Sequence, residues 1–381
     1  MLKGLSLFAN VGIAEAYLES IGVNILVANE IDENRSKFYQ HVYPKTNMIV
    51  GDITNETIRT TVINEAKEKE IDFIIATPPC QGMSIAGKMK DFDERNQLIY
   101  YAIDVIKRVK PKFVLLENVP MQLRTKIKVG EKILLIPEYI KSELSGLYNF
   151  NNETLVKAMD YGVPQMRQRN IFLLCRKDTK MHWEFPEKKK IITLKEALKE
   201  VPSLDPRLRE GEELTLKKFP SYLNKKEEGE KISKWHFPPT HSWRMVEWMT
   251  HTPSGCTAFD NEIYYPQKSG GVRIKGHYNH YRRLDWNKPS RTITQNNGVI
   301  SSLACVHPGH LISDDGTEEG RIYSDPRVFS IYELMIVTSL PLNWNIPEWA
   351  KESFIRKVIG EGIPSLLVKE IVLELVKKLR D

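Results

Sequence analysis

Cys80 follows two prolines in Ala76-Thr77-Pro78-Pro79-Cys80-Gln81, and a stiffened backbone that presents one thiol at the end of an apolar run suits a nucleophile. In a loop near a helix N-terminus such a thiol has a lowered pKa and reacts as the thiolate. Leu115-Leu116-Glu117-Asn118-Val119 closes another apolar run with a carboxyl group. Together the two could add sulfur to an electrophilic ring while the acid protonates a ring nitrogen. A second group of residues points to a nucleoside. Glu30 lies about 20 residues past the turn Phe8-Ala9-Asn10-Val11-Gly12, a spacing that suits bonding to ribose hydroxyls, and Asp52 ends a further run on the same edge. The turn holds only Gly12 and is not a G-x-G-x-x-G fingerprint, so nicotinamide dinucleotide and S-adenosylmethionine both stay open.

These residues need a frame that brings them to one edge. Apolar runs predict strands at 5–8, 25–28, 48–50, 73–76, 113–116 and 171–175, with helices over 13–20, 34–43 and 97–108. Such alternation implies a parallel sheet with helices on both faces, which binds ligands at the carboxyl ends of its strands. After about residue 185, prolines, charge pairs and isolated aromatics replace the alternation. Residues 364–380 space Leu366, Leu367, Ile371, Leu375 and Leu379 as an amphipathic helix that returns to the first domain.

The chain has 381 residues, 41% hydrophobic and 27% charged, which excludes a disordered or collagen-like protein. Its +6 charge is not spread evenly. Residues 186–290 carry 20 Lys and Arg against 14 Asp and Glu, so the whole surplus lies there, together with Trp235, Trp243, Trp248 and Trp286. Aromatics among basic residues suit stacking on bases between phosphate contacts. No apolar run reaches the roughly 18 residues of a membrane span, and no cleavable signal is seen, so a cytoplasmic, nucleoid-associated location is expected. Cys80, Cys175, Cys256 and Cys305 show no disulfide framework, and Cys305-Val306-His307-Pro308-Gly309-His310 lacks the second ligand pair of a zinc site, so no metal is expected.

Pro-Pro-Cys-Gln at 78–81, Glu-Asn-Val at 117–119 and Gln165-Met166-Arg167-Gln168-Arg169, in that order, resemble the DNA (cytosine-5)-methyltransferase family of bacterial and phage restriction–modification systems. Residues 8–12 resemble its first motif, Asn29-Glu30-Ile31-Asp32 its second and Gly51-Asp52-Ile53-Thr54 its third. The stretch 282–294 resembles the ninth, and 360–364 the tenth.

The resemblance implies a Rossmann-like α/β sheet of the S-adenosylmethionine-dependent methyltransferase type, with a second, smaller irregular target-recognition domain. Residues 1–185 would form the catalytic and cofactor-binding domain, completed by a C-terminal helix at 355–381; 186–290 would recognise the target; and 291–354 would be hinge and return. It implies Cys80 as the nucleophile on C6 of a flipped cytosine and Glu117 as the acid at N3. Arg169, and more peripherally Arg167, would stabilise charge at O2. Phe8, Ala9, Gly12, Glu30, Ile31, Asp52, Ile53, Pro78 and Glu361 would hold S-adenosylmethionine. Asn10 stands where the family usually has Gly, and Asn tolerates positive φ. Glu361 stands where it usually has Asn, and a carboxylate there would repel the methionine carboxylate. Double-stranded DNA would meet Gln81, Ser84, Lys88, Arg244, Arg273, Arg282, Arg283, Thr292 and Thr294.

Two other activities share part of this pattern. A tRNA-modifying branch of the family carries a Cys-Phe-Thr element that this chain lacks. A nicotinamide-dependent dehydrogenase explains the sheet and Glu30 but leaves Pro-Pro-Cys-Gln and Gln-x-Arg-x-Arg unexplained. With no regulatory module before Phe8, the expected protein is a monomeric bacterial or phage enzyme whose cognate endonuclease acts separately.

Overall fold

A computed structural model of the chain describes residues 1–79, 97–303 and 305–380. In chain order the first half forms β1 (Leu2–Leu7), β2 (Val23–Glu30), α1 (Glu33–Val42), β3 (Asn47–Val50), α2 (Glu56–Glu68), β4 (Phe73–Ala76), α3 (Leu98–Val109) and β5 (Phe113–Asn118). A hairpin of β6 (Lys126–Val129) and β7 (Lys132–Leu135), α4 (Ile136–Leu144), β8 (Tyr148–Phe150), β9 (Leu155–Lys157) and β10 (Gln168–Arg176) follow. Eight of these strands make one sheet in the order β3-β2-β1-β4-β5-β10-β8, with β9 paired to β10. The five strands from β3 to β5 are parallel. The pairings of β10 with β5, β8 and β9 are antiparallel, which apolar runs alone do not reveal.

Side-chain alternation divides the sheet's two faces. Ile74, Ala76, Val114 and Leu116 join Val62 and Ile63 of α2, Ile99 and Ile103 of α3, and Ile140 of α4. Their alternates Phe73, Ile75, Phe113 and Leu115 pack on Leu367, Ile371 and Leu375 of the helix Ser365–Lys378. Every residue of β4 and β5 is buried, as expected of strands covered on both sides. The stretch 355–381 is thus not one helix: Glu352–Glu361 ends before Gly362-Ile363-Pro364, whose proline starts the helix Ser365–Lys378 that packs on the sheet.

The helix expected over 13–20 is not formed. Leu18 N–H donates to Glu15 O and Ile21 N–H to Leu18 O, which makes successive three-residue turns. The reason lies in where the side chains go. Ile13 joins one apolar cluster and Leu18 and Ile21 another, while Glu15 bonds inward to Ser6 of β1, so no single helical stripe serves all of them. Helix α2 carries little apolar signal in the sequence because only Val62, Ile63 and Ala66 among its residues are buried.

Beyond Phe185 the chain builds a smaller apolar cluster from Leu208, Val246, Trp248, Met249, Ala258 and Tyr281, to which Ile300, Cys305, Val306 and Val328 also contribute. Buried Arg327 donates to Asp325 at 2.7 Å and to both oxygens of Glu333 at 2.7 and 2.9 Å, while its Nε reaches Leu204 O. Burial, the largest single influence, would raise the Glu333 carboxyl, but the Arg327 charge and hydrogen bonds together with the nearby imidazoles outweigh it and hold the group at about 2. Among the described residues no helix is long and apolar enough to cross a membrane.

Candidate active site

The carboxyl ends of β1 to β5 open into one cleft of about 1040 Å³. Along the sheet order, its wall is formed by Gly51, Asp52 and Ile53 after β3, Glu30 and Ile31 at β2, and Phe8, Ala9 and Asn10 after β1. It continues through Thr77 and Pro78 after β4, Glu117 and Asn118 at β5, and Arg167 and Arg169 at β10. Among the described residues, those expected for cofactor other than Gly12 share a single cavity with Glu117, Arg167 and Arg169.

The turn after β1 is shaped by its backbone. Phe8 and Asn10 take φ of +57° and +50°, conformations that Asn tolerates better than most residues. Gly12 stands behind the turn and not in the cleft wall. Its φ is +81°, and a Cβ there would meet the Tyr43 ring at 2.1 Å. The Tyr43 hydroxyl donates to Gly12 O at 2.6 Å and props the turn from below. Glu30 accepts from Asn10 N–H at 2.9 Å on one oxygen, and from the N–H groups of Ile31 and Asp32 at 3.0 Å on the other. Three of about four acceptor positions are filled, which fixes the carboxylate and leaves room for one hydroxyl. Asp52 is exposed and accepts from Thr54 N–H at 2.9 Å, while the Ile31 side chain is 62% exposed and offers an apolar face.

On the β5 side, Glu117 and Arg169 are both buried and their Oε1 and Nε lie 2.6 Å apart. Burial pushes the Glu117 carboxyl above its ordinary range, and the Arg169 and Arg167 charges pull it back only part of the way. Arg167 donates to the carbonyls of Ile293, Gly360 and Glu361 at 2.8 to 3.1 Å, so its guanidinium ties β10 to the C-terminal segment. Gly360 allows that closeness, since a Cβ there would meet Thr294 O at 2.1 Å. Thr77 Oγ1 donates to Phe8 O, and Asn118 Nδ2 donates to Pro78 O at 3.0 Å, anchoring the backbone that leads to Cys80. Cys80, Gln81, Ser84 and Lys88 lie outside the described residues. Cys175, Cys256 and Cys305 are free thiols, and none lines the cleft. Burial pushes Cys175 and Cys305 up to about 12, where a thiol is inert at neutral pH.

The residues expected on DNA separate into three groups. Arg244 and Arg273 are exposed and Arg282 half-buried, each over an aromatic ring: Trp248, Tyr265 and Tyr278. Thr292 and Thr294 stand in the cleft wall. Arg283 corrects the expectation, because it is buried and donates to the carbonyls of Met249, His307, Ser324 and Asp325. A planar five-donor guanidinium meets that many acceptors where a surface role would leave them bare. The four tryptophans are also taken inward: Trp248 is buried, and Trp235, Trp243 and Trp286 pack on apolar clusters. Lys188, Lys189 and Lys190 pair with Asp160, Glu370 and Glu196. Among the described residues no group of His, Cys, Asp and Glu could hold a metal.

Two contributors to the site were missed. Arg35 lines the cleft and pairs with Glu361 at 2.9 Å, and the only sequence signal for it is its place in the first turn after Asp32. Asn118, quoted only as part of a motif, is the anchor for Pro78.

Residues 2–377 match the family model described as C-5 cytosine-specific DNA methylase. The chain is 40% identical over 379 residues to Type II methyltransferase M1.HgaI of Avibacterium volantium, covering 98% of each. It is 29% identical over 388 residues to Type II methyltransferase M.Eco47II of Escherichia coli, covering 98% of this chain and 79% of that one. Among solved structures, a putative DNA modification methyltransferase encoded within a prophage (E. coli) matches over 100% of both chains with a TM-score of 0.65 at 22% identity, a likeness of fold.

Proposed function

The chain belongs to the C-5 cytosine-specific DNA methylase family and is a DNA cytosine-5 methyltransferase of the Type II restriction–modification kind; from that premise we propose how its residues carry out the transfer. The observation that carries the reading is the buried Glu117–Arg169 pair, on the same cleft edge as the Pro78-Pro79 backbone that leads to Cys80.

Cytosine C5 is a poor nucleophile and its ring is unreachable inside a duplex, so the base is flipped into the cleft, as is general for DNA methyltransferases. The Cys80 thiolate adds to C6 and the displaced electron pair makes C5 an enamine carbon. Burial shifts Glu117 toward its protonated form, and in that form it donates to N3 where negative charge would otherwise build. Arg169 orients Glu117 and faces the O2 side. After C5 is methylated its proton leaves, the ring electrons return, and Cys80 departs as thiolate.

The cleft fits S-adenosylmethionine on its own chemistry. The Glu30 carboxylate has one acceptor position left for ribose, Asp52 is exposed for the adenine amino group, and Ile31 presents an apolar face to the adenine ring. Phe8, Ala9, Ile53 and Pro78 complete the wall. When bound, the cofactor supplies an electrophilic methyl group. Arg244, Arg273 and Arg282, with Gln81, Ser84 and Lys88, would meet the DNA backbone or base edges.

Incubation with tritiated S-adenosylmethionine and duplex DNA tests the reaction. Acid-stable label in 5-methylcytosine is expected; label in tRNA alone, or none, overturns the reading. Bisulfite sequencing of plasmid exposed to the enzyme would then name the site.

A further inference from the structure

Arg35 lies in the first turn of α1, and Glu361 is the last residue of the helix Glu352–Glu361, 326 positions later. Their side chains meet at 2.9 Å, about one-fifth exposed, in the wall of the cofactor cleft. Asn10 Nδ2 reaches the same Glu361 oxygen at 3.4 Å, while Asn10 Oδ1 is buried without a hydrogen-bond partner. Among the described residues, one of the five Arg35 donors is used, and Glu361 Oε1 accepts nothing.

The charges of the cleft decide what this cluster can hold. Among the described residues of its wall, Arg167 is committed to three carbonyls, and Arg169 binds Glu117 and its neighbour Gln168 O on the far, β5 side of the cleft. Arg35, with four of its donors unspent among the described residues, sits beside two unspent acceptors. A group that carries a carboxylate next to an ammonium is the complement of that arrangement. A lone carboxylate at position 361 would repel such a group, but with Arg35 beside it the repulsion is offset and the acid can meet the ammonium.

We propose that Arg35, Glu361 and Asn10 form a zwitterion receptor for the amino-acid end of the methyl donor, Arg35 taking its carboxylate and Glu361 with Asn10 its ammonium. This rests on the cofactor reading above and adds to it the residues that distinguish a donor with its tail from the bare thionucleoside. The rival explanation is a staple that only fastens α1 to the C-terminal segment, and ligand affinities separate the two.

The test is calorimetric titration of the full chain with S-adenosylhomocysteine, which has the tail, and 5′-methylthioadenosine, which keeps the nucleoside and lacks it. Wild type should bind the first more tightly. Arg35→Gln and Glu361→Gln should each weaken S-adenosylhomocysteine about ten- to a hundredfold, the range of a lost charge-assisted contact. Methylthioadenosine should be nearly unaffected in both variants, which also shows that they are folded. Equal loss of both ligands, or no loss of either, overturns the receptor and leaves a staple. If wild type binds neither ligand, the cofactor reading falls and this proposal falls with it.

Discussion

Replacing Glu15 by Gln should make the protein's stability less sensitive to pH in the neutral range. Glu15 is enclosed beneath the cofactor turn, where it accepts from Ser6 Oγ on one oxygen and has no partner on the other. Burial raises its carboxyl from an ordinary 4.5 to about 7, and the Ser6 bond offsets only part of that. A shift of about 2.5 units at about 1.36 kcal/mol per unit is about 3 kcal/mol. The folded chain holds this proton more tightly than the unfolded chain. The contribution is therefore fully present below pH 4.5 and is lost as pH rises through about 7. Gln resembles the protonated acid at every pH. Urea unfolding of both proteins from pH 5 to 8 should show the variant gaining on wild type by about 2.5 kcal/mol across that interval, since a part of the loss has already occurred at pH 5. Stability curves that run parallel would refute the assignment of a buried, proton-holding Glu15.

Glu117→Gln should slow methyl transfer by about 10²- to 10⁴-fold, the usual worth of a positioned acid, while S-adenosylhomocysteine binds as before. Because the carboxyl is raised by burial, the wild-type rate should fall on the alkaline side as it deprotonates, and the variant's residual rate should lack that limb. Gly360→Ala forces a Cβ to within 2.1 Å of Thr294 O, so unfolding measurements should show a loss of at least about 1–3 kcal/mol, with weaker S-adenosylhomocysteine binding. Arg283→Met strips donors from four buried carbonyl groups and should cost at least about 3 kcal/mol in thermal unfolding. Arg273→Ala, on the exposed surface, should leave stability unchanged and weaken DNA binding with a shallower salt dependence.

What the sequence makes legible follows from how strongly each residue's neighbours are dictated locally. Strands β4 and β5 are buried on both faces, so they read as unbroken apolar runs, and the residues just past them are found by position alone. Residues 13–20 look helical by spacing, yet they serve two clusters and a buried Glu15–Ser6 bond, and only tertiary contacts decide that. The direction of β10 is hidden for the same reason, although it brings Arg169 to Glu117. Charge in residues 186–290 names the basic segment, but not which cations stay on its surface. Arg283 turns inward to four carbonyls while Arg273, ten residues earlier, lies over Tyr265 in solvent. Glu361 reads as repulsive to the cofactor until Arg35, distant in sequence, is seen beside it.

Attack of Cys80 on the cytosine ring can be trapped with a duplex carrying 5-fluorocytosine at the site the enzyme modifies. Fluorine cannot leave C5 as a proton does, so a cofactor-dependent covalent complex is expected whose digestion places the nucleotide on Cys80, and none with Cys80→Ala. An adduct on any other residue, or one that persists in the variant, would contradict attack by Cys80.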